Sequence, residues 1–416
     1  MTMHPMISAL RRHKAGVALI VLQIALTLAI VCNSVFIIGG RIERIARATG
    51  LDEDGLFLVT QQWVSESDAE GKDGIERLDT LQREDLAVLR GLPDVASVTP
   101  INSLPLLNSA AWNGGIGLTP EQPKANLQAS FYFADENVLP TLGVKLVAGR
   151  AFTAADVEHK ALGDANTPSR IIVSQEIASR LFPDGSALGK NVYLDGSGAP
   201  ASIVGIVDRL QTPGTNAFST SFAYSSVLVP TRLNSTFSRY AVRAKPGRLA
   251  AAMRAAPDAL YQANSQRVIA EDGIQSYADI RHDAYRADIG MAMLMGGVSL
   301  ILLCVTAAGV FGLTSFWVDQ RERQIGIRRA LGARRRDILG YFQVENLLIV
   351  GSGAVLGIVL AVGLNFALIS RYEMDRLPVT DVLLGVVCVL ALSQASTFVP
   401  ARRAARVEPA SAIRSM

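Results

Sequence analysis

The chain has 416 residues, of which 50% are hydrophobic and 19% charged, and its mean hydropathy is +0.28. Soluble domains are nearer to about a quarter charged, so this composition indicates a membrane protein with a sizeable water-soluble part. The net charge of +3 is small and the basic residues cluster beside apolar runs, which argues against a nucleic-acid-binding face. The three cysteines lie inside apolar runs and the four histidines are scattered, so we predict neither a disulfide framework nor a metal site.

The first apolar stretch runs from about Ala15 to Ile38 and follows Arg11, Arg12 and Lys14. About 20 residues suffice to cross a bilayer, and the apolar core of a signal peptide is shorter than this stretch. Basic residues beside a span favour the cytoplasmic side. We therefore predict an uncleaved first transmembrane helix whose N-terminus is cytoplasmic.

From Arg41 to about Arg286 the chain turns polar, and no run in it could span a membrane. Short β-rich runs alternate there with helical ones, which predicts an α+β domain. Strands are predicted at Leu56–Gln61, Ala96–Ile101, Gln128–Phe133, Arg170–Ser174, Asn191–Leu194, Ser202–Asp208, Val227–Thr231, Tyr240–Ala244 and Arg267–Ala270. Helices are predicted at Leu81–Gly91, Glu136–Leu142, Gln175–Phe182, Ala250–Asn264 and from Ser276 onward. Gly71–Gly74 and Asn108–Gln122 are expected to be exposed loops, and Thr153 with Asp156 matches a capping box.

Three more apolar runs follow, at about Ile289–Val318, Leu347–Ile369 and Val382–Val399, the last ended by Pro400. Gly353 and Gly357 form a small-residue stripe that favours close helix contact. The fold class predicted is an α-helical membrane protein with four transmembrane helices plus a large α+β extracytoplasmic (periplasmic) domain between the first and second helices. Its divisions are a cytoplasmic N-terminus (1–14), transmembrane helix 1 (15–40), the periplasmic domain (41–285), helix 2 (286–318), a cytoplasmic loop (319–340), helix 3 (341–370), a short periplasmic loop (371–381), helix 4 (382–400) and a cytoplasmic tail (401–416).

The segment Asp319–Asp337 carries seven arginines against three acidic residues, a strong signal for the cytoplasmic side. Ile327 and Leu331 are four residues apart, so a helix would present them together as a small apolar edge among the arginines. We predict that this segment docks a cytoplasmic partner rather than serving only as a topology signal. The candidate docking residues are Arg321, Glu322, Arg323, Gln324, Ile325, Gly326, Ile327, Arg328, Arg329, Leu331, Gly332 and Arg335. Glu345, at the start of the next apolar run, is a membrane-interface candidate, because an ionisable residue in a span is often functional.

These motifs resemble those of a known family. RERQIGIRRALGARRRDIL (Arg321–Leu339), followed by Glu345, is similar to the cytoplasmic signature of the MacB/FtsX-type (type VII) ABC transporter permeases. VAGRAFTAAD, RIIVSQEIASRLFPDGSALGKNVYLDG and SIVGIVD resemble their periplasmic core domain, and PARRAARVEPASAIR resembles their closing motif. The family loop usually has Glu where this chain has Gln324. Without that negative charge, a charge-assisted contact with the ATPase is not expected at this position, and pairing with a non-identical permease stays open.

The resemblance implies the following function. Two permease subunits pair as a homodimer or heterodimer in the bacterial inner membrane, with both termini cytoplasmic, and dock a cytoplasmic ABC ATPase dimer. No GxxxxGK[ST] motif occurs in the sequence, so ATP and Mg are expected on a partner ATPase chain, and no cofactor, metal or catalytic residue is expected on this one. ATPase closure would pass along the second helix to the periplasmic domains (mechanotransmission). In MacB-like members this drives efflux of peptides, antibiotics or other amphipathic substrates through a periplasmic adaptor and an outer-membrane channel.

Two alternative functions remain open. Lol-like members of the family extract lipoproteins, and FtsX-like members control cell-wall hydrolases. A membrane sensor or scaffold without an ATPase is the alternative from another class. The partners expected under the leading hypothesis are the ATPase, a second permease, an adaptor with its outer-membrane channel, and membrane lipids, but not nucleic acid.

Overall fold

The computed structural model describes residues 14–64, 72–120, 122, 124–162, 168–372 and 376–406. The chain divides into a helical unit, which comprises the residues up to Ala46 and those from Asp288, and an α+β domain, Arg47–Ala287. The basic residues Arg11 and Arg12, part of the predicted 371–381 loop and the tail beyond Arg406 lie outside the described residues.

The helices are α1 (Lys14–Ile45), α2 (Lys72–Arg90), α3 (Val138–Leu142), α4 (Gln175–Leu181), α5 (Ala217–Thr220), α6 (Leu249–Ala263), α7 (Tyr277–Gln320), α8 (Glu322–Ala330), α9 (Arg335–Tyr372) and α10 (Val379–Ala404). The strands are β1 (Leu56–Trp63), β2 (Val95–Pro100), β3 (Trp112–Gly117), β4 (Leu127–Ala134), β5 (Leu146–Gly149), β6 (Glu158–Ala161), β7 (Arg170–Ser174), β8 (Asn191–Leu194), β9 (Pro200–Val207), β10 (Ser226–Asn234), β11 (Phe237–Ala244), β12 (Arg267–Val268) and β13 (Ile274–Ser276).

One sheet of the α+β domain has the order β12-β1-β11-β2, with β13 also paired to β1. Its inner face packs on α2 and α6, because alternate residues such as Phe57 and Val59 point to the same side of a strand. Leu89 of α2 and Leu260 of α6 are fully buried against that face.

The other sheet has the order β4-β3-β8-β9-β7-β10-β6. Strand β4 also pairs in parallel with β10, from Ser226↔Ser130 to Pro230↔Ala134, so the pairings close a ring of six strands. Apolar side chains with a period of two, among them Phe131, Ile171 and Val227, form its core. The ring therefore has the character of a small barrel filled by side chains.

All nine predicted strands and all five predicted helices of this domain are present, with ends within three residues of the prediction, except that α2 begins at Lys72, nine residues before the predicted start at Leu81. The predicted pairing of Thr153 with Asp156 is also present: the Asp156 carboxylate accepts hydrogen bonds from the Thr153 N–H and hydroxyl, both at 2.8 Å. Arg150 and Arg170 both pair with the same carboxylate. The Arg150 guanidinium, together with the hydrogen bonds from Thr153, holds the pKa of Asp156 well below the usual range.

The two loop predictions were wrong. Asn108–Gln122 contains β3, and its Gly114 and Gly115 are buried because Phe131 and Ala125 lie where a side chain would go. The glycines there admit neighbouring side chains rather than making a turn. Of Gly71–Gly74, the residues from Lys72 onward belong to α2, and Gly71 lies outside the described residues.

Four helices, α1, α7, α9 and α10, are long and apolar enough to cross a membrane. They overlap the four predicted spans, and α7 begins 12 residues before its apolar run, at Tyr277. The prediction that Pro400 ends the last helix was wrong, because α10 continues to Ala404 with Pro400 inside it. A proline so close to a helix end removes only one hydrogen bond, and packing of the last turn holds it in place.

The predicted glycine stripe is a contact surface between α9 and α1. A β-carbon on Gly353 would lie 2.8 Å from Ile24 Cγ2, and one on Gly357 would lie 2.9 Å from Leu28 Cδ2. Ile24 and Leu28 are fully buried. The glycines thus let the two helices approach closely, which is how helices associate in a bilayer.

Candidate functional site

The arginine-rich segment folds as a short helix, α8, between two of the long helices. Arg321 lies between α7 and α8 with φ −107° and ψ 10°, and its carbonyl accepts the Ile325 N–H at 2.9 Å. Gly332 ends the turn with φ +99°, a conformation that favours glycine. The next helix is capped by Asp337, whose carboxylate accepts the Arg334 N–H at 2.9 Å.

The inner face of α8 is apolar and packed. Ile325 is 5% exposed, and Gly326 beside it is buried. Ile325 belongs to a cluster with Ile338 and Phe342 of α9 and with small residues at the end of α10, such as Ala401. The helix is therefore fixed to the two neighbouring helices by one side, which leaves its other side for contacts outside the chain.

Arg321 and Glu345 form an ion pair beneath this segment. Arg321 Nη1 lies 2.8 Å and 3.1 Å from the two carboxylate oxygens of Glu345. The side chains are 16% and 2% exposed, and the guanidinium also lies 5.8 Å from the Trp317 ring centroid. Because Arg321 joins α7 to α8 and Glu345 is on α9, this pair ties three helices together.

The outer face of α8 presents apolar and basic side chains together. Ile327 is 47% exposed and Leu331 is 84% exposed, as the predicted apolar edge requires. The exposed polar and basic residues around them are Glu322, Arg323, Gln324, Arg328, Arg334, Arg335 and Arg336. Arg328 lies over the Tyr341 ring at 5.2 Å from its centroid, and Arg329 is half-buried. Gln324, the departure from the family pattern, is on this exposed side.

The candidate docking residues thus fall into two groups that the sequence did not separate. Arg321, Ile325 and Gly326 face the protein, whereas the others are exposed or half-buried. The contribution of the end of α10 was also missed. A signal for it was present in the small residues Ala401 and Ala404, whose spacing of three places them on one helix face.

Comparison with known proteins places the chain in a family. The family described as FtsX-like permease C-terminal matches residues 296–409, and the one described as MacB-like periplasmic core domain matches residues 17–260. The macrolide export ATP-binding/permease protein MacB of Neisseria gonorrhoeae is 27% identical over 347 residues, which cover 81% of this chain and 49% of that protein. The uncharacterized ABC transporter permease YvrN of Bacillus subtilis is 25% identical over 293 residues, covering 68% of this chain and 69% of that one.

The crystal structure of the periplasmic region of MacB from Actinobacillus actinomycetemcomitans is 16% identical, with a TM-score of 0.35, and the match covers 57% of this chain and 96% of that one. The chain spans about half the length of the MacB relatives that it matches. The two family matches together account for most of the sequence, including the α8 segment and most of the α+β domain. The chain belongs to the MacB/FtsX-type ABC transporter permeases and carries a MacB-like periplasmic core domain.

Proposed function

We propose that this chain is a permease subunit that converts ATP hydrolysis by an ABC ATPase on a partner chain into conformational change of its α+β domain. In this proposal α8 is the docking element for the ATPase and lies on the cytoplasmic side of the inner membrane, together with both termini. The α+β domain lies on the periplasmic side. The expected cargo is a peptide, antibiotic or other amphipathic molecule, passed on through an adaptor and an outer-membrane channel.

The observation that carries this proposal is the exposed apolar edge of α8. Leu331 is 84% exposed and Ile327 is 47% exposed, although both are in a segment rich in arginine. Arginine is enriched at the centre of protein interfaces. The exposed apolar side chains beside these arginines would also gain from burial in a partner surface. The partner surface should therefore offer an apolar pocket rimmed by carboxylates.

The connection from α8 to the α+β domain is the second support. Helix α7 runs without a break from Tyr277 to Gln320, 44 residues. At a rise of about 1.5 Å per residue its length is roughly 66 Å, about twice the thickness of the hydrocarbon core. A movement of α8 would therefore reach the start of α7 through one continuous helix. Arg321, at the junction, holds the two helices to α9.

The test is capture of the ATPase by the full chain in mild detergent, followed by its ATPase activity. Leu331→Asp places a carboxylate at the apolar edge, and Arg328→Glu reverses a charge beside it. Each should weaken ATPase capture by about tenfold or more, as expected for a residue at the centre of an interface. Arg254→Glu, an exposed charge reversal on α6, is the matched control and should leave capture unchanged.

Unchanged capture in both α8 variants would refute the docking role. An adaptor that co-purifies with the ATPase supports the export function, whereas an ATPase without any adaptor argues against the cargo route proposed. Thermal unfolding of each variant must match that of the unmodified chain, so that loss of capture reports docking.

A further inference from the structure

A partly open cavity of about 80 Å³ lies in the α+β domain, where residues of α2, β2, β4, β10 and β11 meet. Its lining residues Leu162 and Phe237 are also exposed to solvent. Its wall is mostly apolar, with Ile101, Phe133 and Phe237 among the lining residues. Polar side chains, Gln82 and Arg239, enter the same cavity. The cavity joins an apolar surface to a cation, which is the general character of a site for an amphipathic ligand.

Arg239 is the cation of this cavity. Its Nη1 donates to the Asn102 carbonyl at 2.8 Å, and its Nη2 donates to Ser109 Oγ at 2.7 Å; neither acceptor carries a charge. Its Nε is buried and donates to no acceptor among the described residues. The guanidinium lies 4.8 Å from the Phe237 ring centroid, and burial lowers the pKa of Arg239.

Other buried charges in this domain are paired. Asp79 pairs with Arg232 at 2.8 Å, Asp85 with Arg267 at 2.7 Å, and Asp135 with Arg90 at 2.5 Å. The carboxylates of α2 that flank Gln82 therefore already have arginines of their own. Arg239 forms no ion pair within the described part of the chain, so this partly buried cation lacks a counter-charge there.

Gln82 is a second polar group without a full set of partners. It is 4% exposed, and its Nε2 donates to the Leu233 carbonyl at 3.3 Å. Its Oε1 is buried and accepts no hydrogen bond among the described residues. A buried carbonyl oxygen of this kind is costly unless a donor reaches it. An amide N–H of a ligand is such a donor.

We propose that this cavity binds an amphipathic carboxylate, with the carboxylate on Arg239 and an apolar group of side-chain size against Phe133, Phe237 and Ile101. A single guanidinium and an apolar wall suit one negative charge better than the two of a phosphate monoester. The ligand has two possible sources, a simple aliphatic acid or the C-terminus of a peptide. As a cargo site the cavity rests on the proposed function, but its binding can be measured without any ATPase.

The experiment uses the full chain in lipid nanodiscs and isothermal titration calorimetry. The probes are hexanoate and N-acetyl-leucine, each compared with its neutral amide. Both acids should bind, and the amides should bind about tenfold or more weakly, because they lack the charge that Arg239 requires. Arg239→Gln should weaken both acids by a similar factor, while Arg248→Gln, an exposed arginine paired with Asp94 at 3.7 Å, should not.

Gln82→Leu distinguishes the two sources. If the cavity takes a peptide C-terminus, the substitution weakens N-acetyl-leucine and leaves hexanoate unchanged. If it takes simple acids, hexanoate binds as tightly as N-acetyl-leucine and neither is weakened. Arg239→Lys keeps the positive charge and should retain part of the affinity. It keeps the test decisive if the neutral variant Arg239→Gln does not fold.

Absence of binding by both acids to the folded, unmodified chain overturns the inference, because the cavity then holds only water. Equal affinity in Arg239→Gln overturns it too. ATPase capture by the unmodified chain is a separate readout. A chain that binds the acids but captures no ATPase refutes the proposed function alone, and a chain that captures the ATPase but binds neither acid refutes only this site.

Discussion

Two helices pack against α1 in different ways. Helix α9 approaches it through glycines: Gly353 and Gly357 leave room for Ile24 and Leu28, whose side chains are fully buried. Helix α7 contributes Val310 and Trp317 to the same buried apolar cluster and also makes polar contacts. In the 18-residue apolar segment of α1, 44% of the residues are buried, whereas in the corresponding segment of α7 only 17% are buried.

The polar contacts of α7 are spread along its length. Asp288, near the start of its apolar part, pairs with Arg41 and Arg44 of α1. Thr306 Oγ1 lies 2.8 Å from Thr27 Oγ1 in the middle. Arg321, directly after the helix, pairs with Glu345. A glycine-packed contact has one close geometry, while a few polar contacts can break and reform. These polar contacts are the ones that would have to open if α7 moved as proposed above.

The largest effect is expected at the C-terminal end of α7. Glu345→Ala should destabilise the helical unit by about 3 kcal/mol, the usual range for breaking a buried ion pair, because it leaves the Arg321 charge uncompensated. The measurement is equilibrium unfolding in detergent. Replacing both residues, as Arg321→Gln with Glu345→Gln, should recover most of this loss. A double variant as unstable as Glu345→Ala would show that the pair acts only through packing.

The glycine-packed contact should be nearly as sensitive. Gly353→Val must push Ile24 and the Val21 carbonyl, which lie 2.8 Å and 3.1 Å from the added β-carbon. We expect a loss of about 2 kcal/mol from overpacking. Gly351→Val is the control on the same helix, since nothing lies within 4 Å of its β-carbon position. Equal melting temperatures for the two variants would mean that α9 does not pack on α1 as described.

The smallest effect is expected for the threonine pair. Thr27→Val and Thr306→Val keep side-chain shape and remove the hydrogen bond between α1 and α7. Their coupling energy in a double-mutant cycle should be about 0.6 kcal/mol, as for other hydrogen bonds between membrane helices. A coupling of zero would leave only the two ends of α7 as polar attachments.

Much of the fold was predictable from local pattern. Short β-branched runs identified strands such as Arg170–Ser174 to the residue, because Ile and Val favour buried strands. Uninterrupted apolar runs located the four long helices, and the Gly353–Gly357 spacing identified a real contact face. The Ile327–Leu331 edge is exposed, as its place among arginines predicted.

What the sequence did not determine depends on partners distant in the chain. The glycines of Asn108–Gln122 indicate a loop when only the sequence is considered. The fold shows instead that Phe131 and Ala125 occupy the space beside Gly114 and Gly115. Likewise, an arginine in a basic segment indicates solvent exposure, and only the fold brings Glu345, 24 residues away, to Arg321.

The sequence by itself therefore determined most of the elements, the membrane class and the family motifs, since these follow from periodicity, residue type and composition. The tertiary structure alone decided the closed ring of strands, the division of α8 into a packed and an exposed face, and the unpaired state of Arg239 in its cavity. Each of these is set by which side chains meet across the fold, and no local pattern contains that information.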